Sequence, residues 1–191
     1  MSDQILPEEL IYEILKHAIQ ASPDVFLNPS HDRAFFRRPD APPSPITSSH
    51  LLLVSKAWLR IGTPLLYTSL WISNDAHTET LLRLFAETPS FGARVQDLRL
   101  DEGFGKELYG LVQYMPNVHN VHLSWTVDHR FSMEGLRMVM PVLKPKRLWL
   151  GPHDLVDRGR EERQEAIGLI GLLATCIEEK WASLVRPSHC S

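Results

Sequence analysis

The sequence predicts an α/β fold in three parts. Residues 1–72 form a helical region with a proline-rich insertion at 22–49. Residues 67–159 form a short irregular array of parallel strands and helices, and residues 160–191 form a C-terminal helix and polar tail that cap it. Two observations carry this reading. Apolar residues recur at helical spacing on both sides of the insertion, and beyond them a strand-like pattern returns four times with helical patterns between.

In LPEELIYEILKHAI, from Leu6 to Ile19, Pro7 suits the first helical position and Glu8 and Glu9 suit the positive end of the helix dipole. Leu10, Ile11, Ile14, Leu15 and Ala18 make the apolar face. In LLLVSKAWLRIGTPLLYTSLWI, from Leu51 to Ile72, Leu51, Val54, Trp58, Ile61 and Leu65 are spaced 3, 4, 3 and 4 positions apart, one stripe of a helix. Pro64 cannot donate to the helical ladder, so a second short turn is expected to start there and bring Tyr67 and Leu70 to the same cluster. Periodicity alone is equally met by any small helical bundle.

The pairs Leu6-Pro7, Glu9-Leu10 and Ile14-Leu15, with Val54 followed four positions later by Trp58, resemble the F-box pattern. The run SKAWLRIGTPLLYTSLWI is similar to the form common in fungal F-box proteins, where leucine-leucine-tyrosine replaces leucine-tryptophan; here the tyrosine is Tyr67. An ordinary F-box joins its first two helices by a short connection, whereas Leu15 and Leu51 are 36 positions apart.

The insertion from Ser22 to Ser49 holds six of the fourteen prolines and ends in DAPPSPITSS, so it is expected to be a flexible linker. Val25, Phe26, Leu27, Phe35 and Phe36 either pack back on the first helix or meet a partner.

Downstream, the apolar pattern L-x-x-L-x-L recurs as Val95/Leu98/Leu100 and Val118/Val121/Leu123, and more weakly as Tyr67/Leu70/Ile72 and Pro145/Leu148/Leu150. Leu70, Leu98, Val121 and Leu148 are 28, 23 and 27 positions apart, within the range of leucine-rich repeats. Helical patterns lie between: Leu81, Leu82, Phe85; Leu108, Leu111, Val112, Met115; and Leu136, Val139, Met140, Leu143. Pro89, Pro116 and Pro145 stop them. This resembles a degenerate leucine-rich-repeat array, the competing reading being an ordinary α/β domain with parallel strands. Asp75, Gly103 and Thr126 stand where a regular repeat carries asparagine or cysteine.

In that register Trp71, Arg99, His122 and Trp149 form one outward row, flanked by Ser69, Asp97, Asn120, Arg147 and by Ser73, Asp101, Ser124, Gly151. An exposed row of this kind suits protein binding, with Arg99 placed for a cation–aromatic contact to Trp71; alternatively loops or the last helix cover the tryptophans. From Arg160 to Val185 a stripe of Ile167, Ile170, Leu173 or Ala174, Ile177, Trp181 and Leu184 follows a charged start. It reads as the array's cap, or as an interface helix of an array that once ran further.

Composition narrows the function. With 43% apolar and 23% charged residues the chain is globular. A net charge of -3, with no basic run longer than Arg37-Arg38, argues against nucleic acid. MSDQILPEEL lacks a signal pattern, and Ala166 to Ile177 is too short to cross a bilayer, so neither secretion nor a membrane is expected. Cys176 and Cys190 build no disulfide framework or zinc site. His119 and His122 point to opposite faces of a strand, Asp128-His129 and His153-Asp154 lie in loops, and no catalytic motif is present; no enzyme activity and no cofactor are expected.

The resemblance implies a non-catalytic F-box subunit of a cullin-RING (SCF-type) ubiquitin ligase, cytoplasmic or nuclear. Its partners would be the ligase's adaptor subunit, cullin through that adaptor, and a protein target. Carried over by motif position, Leu6, Pro7, Ile14, Leu15, Val54 and Trp58 would meet the adaptor, Trp58 alternatively serving the F-box core. Trp71, Arg99, His122 and Trp149 would meet the target. The alternative is a repeat-based interaction module with a degenerate F-box and no ligase role.

Overall fold

A computed structural model describes residues 6–20, 26–27, 48–101, 104–124, 133–151 and 160–181. Helix α1 (Glu8–Ile19) is followed by a 3-10 segment (Ser48–Leu53) and α2 (Lys56–Leu66). Then come β1 (Ser69–Ile72), α3 (Asp75–Glu87), α4 (Pro89–Gly92), β2 (Asp97–Leu100), α5 (Glu107–Val112), β3 (Asn120–Leu123), α6 (Glu134–Val139), β4 (Arg147–Leu150) and α7 (Arg160–Thr175). A π-helical turn, Cys176–Lys180, closes the described chain.

The architecture is mixed α/β. Its sheet is parallel with order β1-β2-β3-β4, so each strand pairs with the next one in sequence. Leu70, Leu98, Val121 and Leu148 stand side by side, as the recurring pattern requires. Helix α3 packs on α5 and α5 on α6 in the same succession, so each strand–helix unit rests on its neighbour. A doubly wound sheet would instead reverse its strand order at a switch point.

Two apolar clusters result. The smaller one joins Ile11 and Leu15 of α1 to Leu65 of α2, with Leu51, Ala57, Trp58 and Ile61 partly buried against it. The larger one takes the inward residues of the strands and, from the helices, Leu81, Phe85, Leu108, Leu111, Leu136 and Val139 among others. Gln20 Nε2 donates to Thr68 Oγ1 at 2.9 Å and ties the end of α1 to the turn entering β1.

Local chemistry sets the boundaries. Ser55 accepts from the Trp58 amide at 3.2 Å to start α2, and Asn74 accepts from the His77 amide at 2.8 Å to start α3. Helix α1 begins at Glu8, so Pro7 precedes the helix rather than opening it, and its carbonyl accepts from the Leu10 and Ile11 amides. The break expected at Pro64 does not occur: α2 runs through it to Leu66. Pro64 leaves the Arg60 carbonyl without its helical N–H donor, and the helix ends two residues later.

The last helix also departs from its expected stripe. Leu169, Leu173, Cys176 and Trp181 are buried, whereas Ile167 and Ile170 are exposed. The π turn inserts the extra residue: the Trp181 amide donates to the Cys176 carbonyl, five positions back, and so Trp181 reaches the core. Leu184 lies outside the described residues, as do Val25, Phe35 and Phe36 and most of the insertion, on which the linker expectation rests.

Candidate functional site

Two surfaces hold the sequence-predicted site residues. On the helical unit, Leu10 and Ile14 fall four positions apart on one line of α1 and are 51 and 45% exposed, and Leu6, two residues before the helix, is 40% exposed. The adjoining line, Ile11 and Leu15, is buried. At the end of the 3-10 segment, which packs on α1 and α2, Leu53 and Val54 are 78 and 62% exposed. Pro7 is exposed as well.

Of the six expected adaptor residues, Leu6, Pro7, Ile14 and Val54 are therefore surface groups. Leu15 is not: its side chain is fully buried, in the cluster it forms with Ile11 and Leu65. Trp58 is half-buried against that cluster, in the core role allowed for it. Leu10 and Leu53 were missed. The run Leu51–Leu53 carried a signal for the second, since three consecutive leucines cannot all turn to one small core.

The second surface is the outer face of the sheet. Trp71, Arg99, His122 and Trp149 pair in one row across the four strands, as the register predicts. Their exposure differs from expectation. Arg99 and His122 are buried, and Trp71 and Trp149 are half-buried. Part of the cover comes from the insertion, whose Leu27 is fully buried and whose Phe26 carbonyl lies 3.4 Å from Arg99 Nη1 as an acceptor. The backbone at Phe26 thus reaches the sheet face.

Asp101, one step beyond β2, organises the polar groups of this face. It accepts from Trp71 Nε1 at 2.7 Å and from Arg99 Nε and Nη2 at 3.0 and 2.9 Å. The Arg99 guanidinium also lies 5.8 Å from the Trp71 ring, the cation–aromatic contact expected from the register. His122 Nδ1 is 3.5 Å from Asp101 Oδ1, at the long limit of a hydrogen bond. Burial raises the Asp101 carboxyl, but the neighbouring His122, Arg99 and Trp71 outweigh it and hold the group below its ordinary value.

The neighbouring row is satisfied laterally: Ser69 Oγ and Asn120 Nδ2 donate to opposite oxygens of Asp97, at 2.8 and 2.7 Å. Asp75, at the position where the sequence pattern expects a repeat asparagine, accepts from the Gly105 amide at 3.1 Å and so links one turn to the next. Gly103 and Thr126, at the equivalent positions, lie outside the described residues, as do Asp128-His129, His153-Asp154 and Cys190. Cys176 is buried, which pushes its thiol up from the ordinary value. Among the described residues no helix is long and apolar enough to cross a membrane.

In comparisons with known proteins, no family model, no curated protein and no solved structure matches this chain.

Proposed function

We propose that this chain is an F-box-type recognition subunit of a cullin-RING ubiquitin ligase, its sequential strand–helix units being an irregular leucine-rich-repeat array. The observation that carries the reading is the apolar surface on the helical unit. Leu6, Leu10 and Ile14 on and just before α1, with Leu53 and Val54, expose large side chains although Ile11, Leu15 and Leu52 beside them are packed. A bundle this small has no internal use for them, and apolar groups clustered on a surface favour a protein partner. In this reading the adaptor covers that surface and cullin follows through the adaptor. The target meets the half-buried tryptophans, Trp71 and Trp149; Arg99 and His122 hold the sheet face together rather than touching the target.

Co-expression with the ligase adaptor tests this. The wild-type chain is expected to co-elute with the adaptor, and an Ile14→Asp, Val54→Asp double variant with native circular dichroism is expected to lose it. Undiminished capture by that folded variant refutes the adaptor surface. Absence of capture by the wild-type chain leaves the alternative, a repeat-based interaction module with no ligase role.

A further inference from the structure

We propose a second binding site, for a carboxylate-rich peptide segment of a partner protein, along the edge of the sheet where the chain enters its strands. The inference does not depend on the adaptor reading. The backbone builds this edge as a continuous ladder. The Thr68 carbonyl accepts from the Gln96 and Asp97 amides, the Gln96 carbonyl from His119 and Asn120, and the His119 carbonyl from Lys146 and Arg147, at 2.7–3.1 Å. Thr68, Gln96, His119 and Lys146 are thereby stacked at strand spacing, roughly 4.8 Å per step.

Two clefts open along this ladder. One, of about 590 Å³, is bordered by Lys16 of α1, Arg60 of α2 and Arg94 of the turn before β2, with Ile61 and Pro64 as apolar wall. The other, of about 440 Å³, is bordered by His119, Lys144 and Lys146, with Val118 and Leu143 as wall. Among the described residues no carboxylate lines either cleft, in a chain whose acids outnumber its lysines and arginines by 23 to 20. The edge therefore reverses the sign of the molecule's overall charge.

The arrangement selects among anions. The cations come from separate elements and are solvent-exposed: Arg60 and Lys16 expose 62 and 45% of their side chains. Exposed cations spread along an edge suit several spaced charges better than a single phosphate, which needs converging donors. Tyr12 is the only Phe, Tyr or Trp lining the clefts among the described residues, which offer no run of stacking platforms for nucleobases. The apolar walls suit the side chains between the acids of a peptide. Lys16 and Arg60 are paired with Glu13 and Glu8 at the surface, contacts weak enough for ligand carboxylates to replace. Arg94, Lys144 and Lys146 make no ion pair among the described residues. Three strand steps span roughly 15 Å, the reach of about five residues of extended chain.

The test is fluorescence anisotropy of a fluorescein-labelled octaglutamate peptide titrated with the full chain at low ionic strength. Binding is expected, weakening as salt is added, with none to an octaglutamine control. The exposed-site double variant Arg94→Glu, Lys146→Glu should weaken it at least tenfold, whereas Arg83→Glu, on the outer face of α3, should leave it within twofold. If charge reversal unfolds the chain, the neutral pair Arg94→Gln, Lys146→Gln reads the same contrast. Three results overturn the proposal: no binding of octaglutamate, equal binding by a folded double variant, or tighter binding of an eight-residue oligothymidylate, which would mark a phosphate site.

Discussion

The indole of Trp71 in β1 donates to the carboxylate of Asp101, thirty positions on and just past the end of β2, at 2.7 Å. The same carboxylate neutralises Arg99, whose side chain is only 4% exposed. One acid thus fixes the orientation of an aromatic ring and compensates a buried charge.

Asp101→Asn should accordingly destabilise the protein by about 1.5–3 kcal/mol at neutral pH, the range for hydrogen bonds to a charged group, because it removes the charge from the acceptor that Arg99 and Trp71 share. The folded carboxyl titrates below its unfolded value, so the wild-type contribution is present in full at neutral pH and is lost as pH falls through 3.8 and below. Thermal unfolding of both proteins should show a gap in Tm at pH 7 that narrows toward pH 3. A gap independent of pH would show that the charge is not what matters.

Gly135→Ala should be among the most damaging single substitutions in the array. A Cβ at Gly135 would collide with the carbonyl oxygens of Gly105 and Phe104, and the Gly135 amide donates to Phe104 O at 2.7 Å. Backbone on both sides cannot move as a flexible side chain can, so a loss of about 3 kcal/mol or more is expected from overpacking. Urea denaturation measures it. A midpoint unchanged within error would mean that α6 does not rest on the preceding unit as described.

Leu15→Ala and Ile14→Ala, adjacent on α1, should separate core from surface. Leu15 is fully buried, and its truncation should cost about 2–5 kcal/mol; Ile14 is exposed, and its truncation about 0.5 kcal/mol or less. On the adaptor reading Ile14→Ala nevertheless weakens adaptor capture. Similar stability losses in the two variants would show that the assignment of the two helix faces is wrong.

Asn74→Ala removes the side chain that accepts from the His77 amide at the start of α3. Loss of this cap should cost about 1 kcal/mol, and Asn74→Asp should restore most of it. Chemical denaturation of the three proteins reads the series; an unaffected alanine variant would mean that tertiary packing alone holds the helix end.

Trp149→Ala tests the target side of the proposed function. Trp149 is half-buried on the last described strand, the far end of the sheet from the helical unit. The variant should keep the adaptor and lose co-purifying target proteins by roughly thirtyfold in affinity, as for a hot-spot residue. Retention of both moves target binding off this row, and loss of both reports a folding defect.

Periodicity by itself determined the strands of this protein and the order in which they pair. Four short apolar patterns separated by helical ones leave few arrangements other than a sequential parallel sheet, and Leu70, Leu98, Val121 and Leu148 pair as their spacing demands. The helix faces of the array were equally legible, since Phe85, Leu111 and Leu136 sit on stripes whose only outlet is the sheet. What only the tertiary structure decided is which side chains remain outside. Ile14 and Leu15 are chemically alike and adjacent, and the crossing of α1 with α2 buries one and exposes the other. Arg99 and His122 lie on the face that alternation turns outward, and the Phe26 carbonyl, more than seventy positions upstream of Arg99, comes back to meet it there. Local pattern records which face of an element a residue occupies; whether that face meets water depends on distant chain, which no local pattern encodes.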